Sequence, residues 1–185
     1  MNTKNNQRTR ITKLLLKNAM MDLLKEKGTP ERISVKELCE KAEINRSTFY
    51  SHFDQPMDVY TEIENDLLEA TADHLIQIGK GNNVSAHKLI LSFLEFIKEN
   101  DKQFKTLFLE TNTGFRTKFL QQSIVQILDK FDIELDKEIE QYVFSYVLNG
   151  SSGIIVQWIR ANYSADENVI VELLFKLNES ALRDF

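Results

Sequence analysis

Apolar residues recur along this chain at the spacing of a helix. In the first stretch Leu16, Ala19, Met20 and Leu23 fall at i, i+3, i+4 and i+7, one buried stripe, and predict a helix from about Thr9 to Lys27. Gly28 ends it: Lys25 and Lys27 suit the negative end of the helix dipole, and glycine accepts a positive φ. Ser34-Val35-Lys36-Glu37 has the form of a capping box, in which the serine side chain bonds the third helical N–H and the glutamate reaches back to the serine amide. Val35, Leu38, Cys39 and Ala42 supply the short apolar stripe of this second helix. Asn45 suits the N-cap of a third, from Arg46 to about His52, so only Ala42-Glu43-Ile44 is left for a tight turn. Pro56 opens a long fourth helix, because a missing N–H costs nothing in a first turn; Asp58 suits its positive end. That helix is expected to reach about Ile78, with a loop over Gly79–Asn83. Further helices are expected at Ser85–Asn100, Lys102–Thr111, Phe115–Phe131 and Asp136–Asn162. A last one, Ala165 to Ala181, follows a second capping box, Ser164-Ala165-Asp166-Glu167.

Two prolines and six glycines in 185 residues are few breakers, which favours long helices over a many-stranded sheet. The expected fold is all-α: an N-terminal helix-turn-helix three-helix domain over residues 1–55, and a larger C-terminal helical bundle domain over 56–185. Asn149-Gly150-Ser151-Ser152-Gly153 lies inside an otherwise helical pattern and reads either as a close helix crossing or as a break. Apolar positions keep helical spacing on both sides, Tyr142 and Tyr146 before and Ile155 and Trp158 after, which favours the crossing.

The segment Ser34–Phe53 joins two short helices by a tight turn, the pattern that places a second helix in the DNA major groove. Its N-terminal residues Asn45, Arg46, Ser47 and Thr48 are the candidates for base edges. A guanidinium at Arg46 can fork onto guanine O6 and N7, and the Thr48 methyl can meet a thymine methyl. Tyr50 and His52 lie one turn further on, within reach of phosphate oxygens. Phe49 and Phe53, four apart, share the opposite face and are expected to fill the small core.

At these residues the chain resembles the TetR/AcrR regulators. Ile44-Asn45-Arg46-Ser47-Thr48-Phe49-Tyr50-Ser51-His52-Phe53 looks like that family's recognition helix, and Leu15-Leu16, Ala19, Leu23-Leu24 and Gly28 are similar to its first helix. The resemblance covers residues 10 to 64. It implies base or nearby backbone contacts from Arg46, Ser47 and Thr48, phosphate contacts from Tyr50 and His52, and a base-reaching position for Lys36. It also implies that Ser34 sets a helix N-terminus at a phosphate. Two positions depart from the pattern. Glu43 stands where the turn often carries glycine, and a positive φ there costs on the order of 1 kcal/mol. Asp54-Gln55-Pro56-Met57 lacks the lysine that often clamps a phosphate at the start of helix four, so the grip is expected to lean on the arm Lys4–Arg10. Trp158 and Arg160-Ala161-Asn162-Tyr163-Ser164 look like the C-terminal region of a branch from low-GC Gram-positive bacteria. The resemblance implies homodimers through the last two helices and a small-molecule sensor in the larger domain.

Charge agrees with a protein that presents one end to phosphates. Residues 1–60 hold eleven Lys/Arg against eight Asp/Glu, and residues 61–185 hold twelve against twenty. The first 21 residues carry Lys4, Arg8, Arg10, Lys13 and Lys17 and no acid. The twelve phenylalanines raise the possibility of an apolar effector pocket among Phe93, Phe96, Phe104, Phe108, Phe115, Phe119, Tyr146 and Trp158, although aromatic residues at helical spacing also simply fill cores. His52, His74 and His87 lack metal-ligand spacing, and His74 and His87 read as surface residues. Cys39 reads as a small buried hydrophobe. No phosphate loop or nucleophile elbow is present, so no cofactor, no metal and no enzymatic activity are expected. The polar N-terminus and the lack of a span of about 20 apolar residues point to a cytoplasmic protein. The reading is therefore a DNA-binding regulator, a ligand-responsive repressor that binds a pseudo-palindromic operator as a homodimer. Its partners are double-stranded DNA, a second copy and a small apolar or amphipathic effector. The alternative is a regulator whose C-terminal domain binds a protein instead.

Overall fold

In the computed structural model, which describes residues 3–80, 84–111, 113–128 and 137–183, every regular element is helical and no strand occurs among the described residues. The elements are α1 (Thr3–Lys27), α2 (Val35–Ala42), α3 (Arg46–Tyr50), α4 (Pro56–Gly79), α5 (Ala86–Glu99), α6 (Asp101–Lys105), α7 (Phe115–Leu128), α8 (Glu140–Arg160) and α9 (Glu167–Arg183). A 3-10 turn spans Pro30–Arg32, and a π-helical turn, Thr106–Glu110, continues α6. The chain forms two compact units. One holds the residues through Leu67 together with Glu110–Thr113; the other holds Leu68–Leu109 and the residues from Gly114 on. The first unit thus takes in the opening half of α4 as well as the helices before Pro56.

The first unit is built on the stripe of α1: Leu16, Ala19, Met20, Leu23 and Leu24 are all buried. Leu38, Cys39 and Ala42 of α2, Phe49 and Phe53 around α3, and Val59, Tyr60 and Ile63 of α4 are buried in the same unit, with α2 packed on both α1 and α3. Gly28 takes φ 72° and its amide bonds Leu24 O at 2.8 Å, the helix stop that the sequence predicts. A Cβ at Gly28 would lie 3.4 Å from the carbonyl oxygen of Glu110. Helix α1 reaches back to Thr3, six residues further than periodicity indicates, because polar residues without an apolar stripe can still be helical where the helix is already nucleated. The basic run is partly spent internally. Lys13 pairs with Glu62 at 2.7 Å, and Lys17 pairs with Glu62 and Asp66, each at 2.6 Å.

The second unit is a helical bundle around phenylalanine. Phe119 touches the rings of Phe93, Phe104, Phe108 and Phe115, with centroids 5.1–6.0 Å apart. Helix α9 packs on α5 and α8, and α7 packs on α8 and α5. Helix α8 runs unbroken through Gly150 and Gly153. The expected helix Lys102–Thr111 is instead α6 followed by the π-helical turn. The expected end of α7 at Phe131, the expected start of α8 at Asp136 and most of the Gly79–Asn83 loop lie outside the described residues.

The second capping box does not form. Asn162 and Tyr163 carry the chain out of α8 at φ 52° and 58°, and Ser164 N–H turns back to Ala161 O at 3.2 Å. Asp166 caps α9 instead, its carboxylate accepting from the Asn168 amide at 2.9 Å. Tyr163 pays for its left-handed backbone with contacts: its hydroxyl donates to Asp101 at 2.5 Å, and its ring meets Trp158 edge-on at 4.8 Å. Two histidines are also less exposed than expected. His74 is half-buried, with Nε2 2.7 Å from Ser92 Oγ and its ring 5.0 Å from that of Phe96. His87 lies against the Phe175 ring at 3.9 Å, and its Nε2 is 3.0 Å from Glu172. No helix among the described residues is long and apolar enough to cross a membrane.

Candidate nucleic-acid interface

Local chemistry sets both ends of α2. The Ser34 amide and hydroxyl donate to Glu37 Oε2 at 3.0 and 2.7 Å, and the Glu37 amide returns a bond to Ser34 Oγ at 3.3 Å. This is the capping box that the sequence predicts, and Lys27 reinforces it by pairing with the Glu37 carboxylate. The Lys27 bond, with help from Ser34, pulls the Glu37 carboxyl down to about 2. At the other end Glu43 sits in the left-handed region at φ 55°, and Ile44 N–H bonds Cys39 O at 2.9 Å. That six-to-one bond closes the last turn of α2 and aims the next helix. Asn45 then starts α3 by position alone: it is extended, at φ −68°, and its side chain makes no capping bond. Helix α3 ends at Tyr50, two residues before the expected end, and His52 and Phe53 follow in the turn.

Around this scaffold the candidate residues fall into three groups. Lys36, Asn45 and Arg46 line one shallow cleft of about 350 Å³ between α2 and α3, together with Glu40 and Glu43. Lys36 and Arg46 are exposed, and Lys36 Nζ is 3.9 Å from Glu40, a loose surface pair. Thr48 and His52 lie on the other side of α3, in a groove of about 650 Å³ whose opposite wall is α1. Ser34, Ser47 and Tyr50 are exposed and line neither cavity. Phe49 and Phe53 are buried and in contact, centroids 6.1 Å apart, which turns the polar side of α3 outward. Cys39 is buried in this core, and burial pushes its thiol pKa up, away from the thiolate that redox chemistry needs. The sequence gives no particular weight to Thr9 and Thr12, which line the α1 wall of the groove. The signal for them was their place on α1, where they continue the face of Leu16, Ala19 and Met20 towards the start of the helix in polar residues.

The candidate effector residues divide as well. Phe93, Phe104, Phe108, Phe115 and Phe119 form the ring cluster, each no more than 2% exposed, and Phe96 meets Phe104 edge-on at 6.2 Å. Trp158 is buried elsewhere, with Nε1 donating to Ala165 O at 2.8 Å. Tyr146 stands apart from the rings, 59% exposed. It lines an open apolar cavity of about 690 Å³ along α8 and α9, with Tyr142, Val143, Leu177 and Ala181. On the same two helices Tyr142, Val169, Leu173 and Leu177 are between 42% and 68% exposed.

An all-helical protein with a helix-turn-helix at its start and a phenylalanine-centred bundle after it belongs to the class of helical transcription regulators. A TetR C-terminal family described as "Transcriptional regulator C-terminal region" matches residues 85–180. The chain belongs to the TetR family of transcriptional regulators. Solved structures share its fold. A TetR transcriptional regulator from Streptococcus agalactiae is 19% identical, with 94% of this chain and 97% of that chain covered and a TM-score of 0.73. The fatty acid degradation regulator FadR from Bacillus halodurans is 16% identical, with 93% and 96% covered and a TM-score of 0.64. The dihydroxyacetone kinase operon activator DhaS is 19% identical, with 94% and 97% covered and a TM-score of 0.55. No curated protein matches the chain.

Proposed function

We propose that this chain is a ligand-responsive repressor that binds a pseudo-palindromic operator as a homodimer, with residues 1–55 as the DNA-binding domain and 56–185 as the effector and dimerisation domain. The observation that carries it is the polar side of α3, held outward by the buried Phe49 and Phe53 beside a cleft that Arg46 lines. Arg46 reads a base pair, with Asn45, Ser47 and Thr48 beside it and Lys36 reaching from α2. Ser34, Tyr50 and His52 flank this set on the backbone side. The exposed apolar positions on α8 and α9 support dimerisation, since a lone chain gains nothing by presenting them to water and a twofold operator calls for a twofold protein. Helix α4 follows directly on the recognition turn and continues into the second unit, so it is the element through which an apolar or amphipathic effector would act. A coupling of about 1–3 kcal/mol is enough for such a switch. The sequence resemblance at Trp158 and Arg160-Ala161-Asn162-Tyr163-Ser164 is what supports a place in the low-GC Gram-positive branch.

The close packing of the phenylalanine rings favours a second reading, in which the second unit answers to a protein and not to a small molecule. A thermal-shift screen of small apolar acids and amphiphiles separates the two: stabilisation by one of them supports the effector, and silence across the panel supports the protein. The DNA reading is tested by selecting bound fragments from a random duplex pool and repeating the selection with Arg46→Ala. The expected outcome is a twofold-related motif for the wild type, with a loss of about 1–3 kcal/mol and relaxed preference at one position per half-site for the variant. An unchanged motif and affinity would remove α3 as the reading helix.

A further inference from the structure

Three large aliphatic side chains stand in water on the first helix. Ile11 is 51% exposed, Leu14 58% and Leu15 43%. They fall at i, i+3 and i+4 of α1, so they form one patch, on the side of the helix away from the buried Leu16, Met20 and Leu23. Single exposed apolar residues are ordinary in a soluble chain; a contiguous patch along a helix marks a surface that something covers. The charges at the two ends of the patch differ in sign. Arg8, seven residues before Leu15, is exposed and has no hydrogen-bond or ion-pair partner among the described residues. Asp22, seven residues after Leu15, is half-buried and is the first acid of the chain. Glu26 follows one turn on, exposed, with Lys41 3.6 Å away. Seven residues make close to two turns, so Arg8, Leu15 and Asp22 lie in one line along the helix, spaced by about 10.5 Å.

The order of cation, apolar centre and acid decides what fits this face. A polyanion or an anionic lipid surface would gain at Arg8 and lose at Asp22 and Glu26. A second α1 laid antiparallel gains at both ends, because a twofold axis at Leu15 carries Arg8 onto Asp22 and Asp22 onto Arg8. The antiparallel arrangement also sets the two helix dipoles head to tail. A contact between identical surfaces requires a surface complementary to itself, and this one meets that condition in charge as well as in apolar centre.

We propose that the outer face of α1 is a contact between copies of this chain: two α1 helices cross antiparallel at Leu15, with Ile11 and Leu14 around the crossing and Arg8 of each copy against Asp22 of the partner subunit. Three aliphatic side chains per copy cover much less than the roughly 1,200 Å² at the low end of stable interfaces, so the contact is weak and transient. It uses α1 and neither α8 nor α9, and two different self-contacts on one chain join more than two copies.

The test traps the contact as a disulfide in the full-length chain. Leu15→Cys places a thiol at the proposed axis; Cys39 is buried, and the wild type is the control for it. Oxidised glutathione is the oxidant, and covalent dimer is followed on a denaturing gel. Leu15→Cys is expected to cross-link on the order of 10-fold faster than Lys36→Cys, at an exposed position of α2. Added to Leu15→Cys, Arg8→Asp sets acid against acid and Asp22→Arg sets cation against cation, so each alone is expected to slow cross-linking about 3- to 10-fold. An equal mixture of these two chains, one of them tagged, restores opposite charges at both ends and is expected to recover about half the rate, as mixed dimer. Circular dichroism checks helix content; if Asp22→Arg loses it, Leu14→Asn takes its place and is expected to slow cross-linking about 3-fold. Leu15→Cys no faster than Lys36→Cys would overturn the contact. A mixture no faster than its components, or Leu14→Asn at an unchanged rate, would overturn the antiparallel pairing. Neither result touches the DNA reading, which α3 carries.

Discussion

The outer side of α3 and the outer side of α8 and α9 are both exposed, and they are exposed in opposite chemistries. Around α3 the surface carries unspent donors, Arg46, Thr48 and His52, over a floor of buried Phe49 and Phe53. Along α8 and α9 it carries Tyr142, Tyr146, Leu173 and Leu177 beside an apolar cavity. Donors left in water lose little and can later meet a polyanion; apolar side chains left in water lose about 25 cal/mol per Å² and are relieved by a like surface. The same molecule thus offers one surface suited to a phosphate backbone and another suited to a second copy of itself.

The interior differs as much as the surface, and the largest expected effect tests that. Phe119 is fully buried and touches four other rings, so Phe119→Ala should cost about 3–5 kcal/mol in urea unfolding followed by circular dichroism. A cost below about 1.5 kcal/mol would mean that the ring cluster is loosely packed, with room for a ligand.

The apolar surface comes next. Leu177→Lys places a charge on the α8–α9 side at a position 44% exposed. It should change the stability of the isolated chain by no more than about 0.5 kcal/mol while halving the mass seen by light scattering. A mass unchanged from the wild type would move the contact between copies elsewhere.

A smaller effect belongs to the turn that aims α3. Glu43 holds φ 55° without the freedom of glycine, so Glu43→Gly should raise thermal stability by up to about 1 kcal/mol, partly offset by a more flexible unfolded chain. A lower melting temperature would show that the Glu43 side chain contributes more than its backbone costs.

The smallest effect is a dependence on pH. The Lys27 bond lowers the Glu37 carboxyl from 4.5 to about 2, so its contribution is present above the unfolded value and is lost as pH falls from 4.5 towards 2. The thermal stability of the wild type should therefore fall more steeply through that window than that of Glu37→Gln. Parallel curves would remove the α2 cap as a source of acid sensitivity.

Much of the first unit was legible in the sequence because its limits are local. The Ser34–Glu37 box, the Gly28 stop and the Phe49–Phe53 pair each depend on residues within four positions of one another, and all three form. The strain at Glu43 was legible for the same reason. The candidate interface was legible residue by residue, but not its division into two cavities on either side of α3. That division depends on α1, some 40 residues earlier in the chain. The second unit was legible as helices and less so at their joins. Ser164 has the spacing of a cap, yet the left-handed pair Asn162–Tyr163 shifts the start of α9 to Asp166.

By itself the sequence determined the helical class, the two short helices with their tight turn, and the side of α3 that faces out, because a period of 3.6 residues and short-range capping are properties of neighbours. Tertiary structure decided which charges are free. Lys13 and Lys17 look like part of a basic arm, yet each finds an acid 49 residues away, while Arg8, Thr9 and Thr12 find none. It also decided that His74 turns inward to Ser92, and that Tyr146 is exposed while the phenylalanines are buried. The reason is the same in each case: whether a side chain is spent depends on what packs opposite it, and a linear pattern carries no information about that partner.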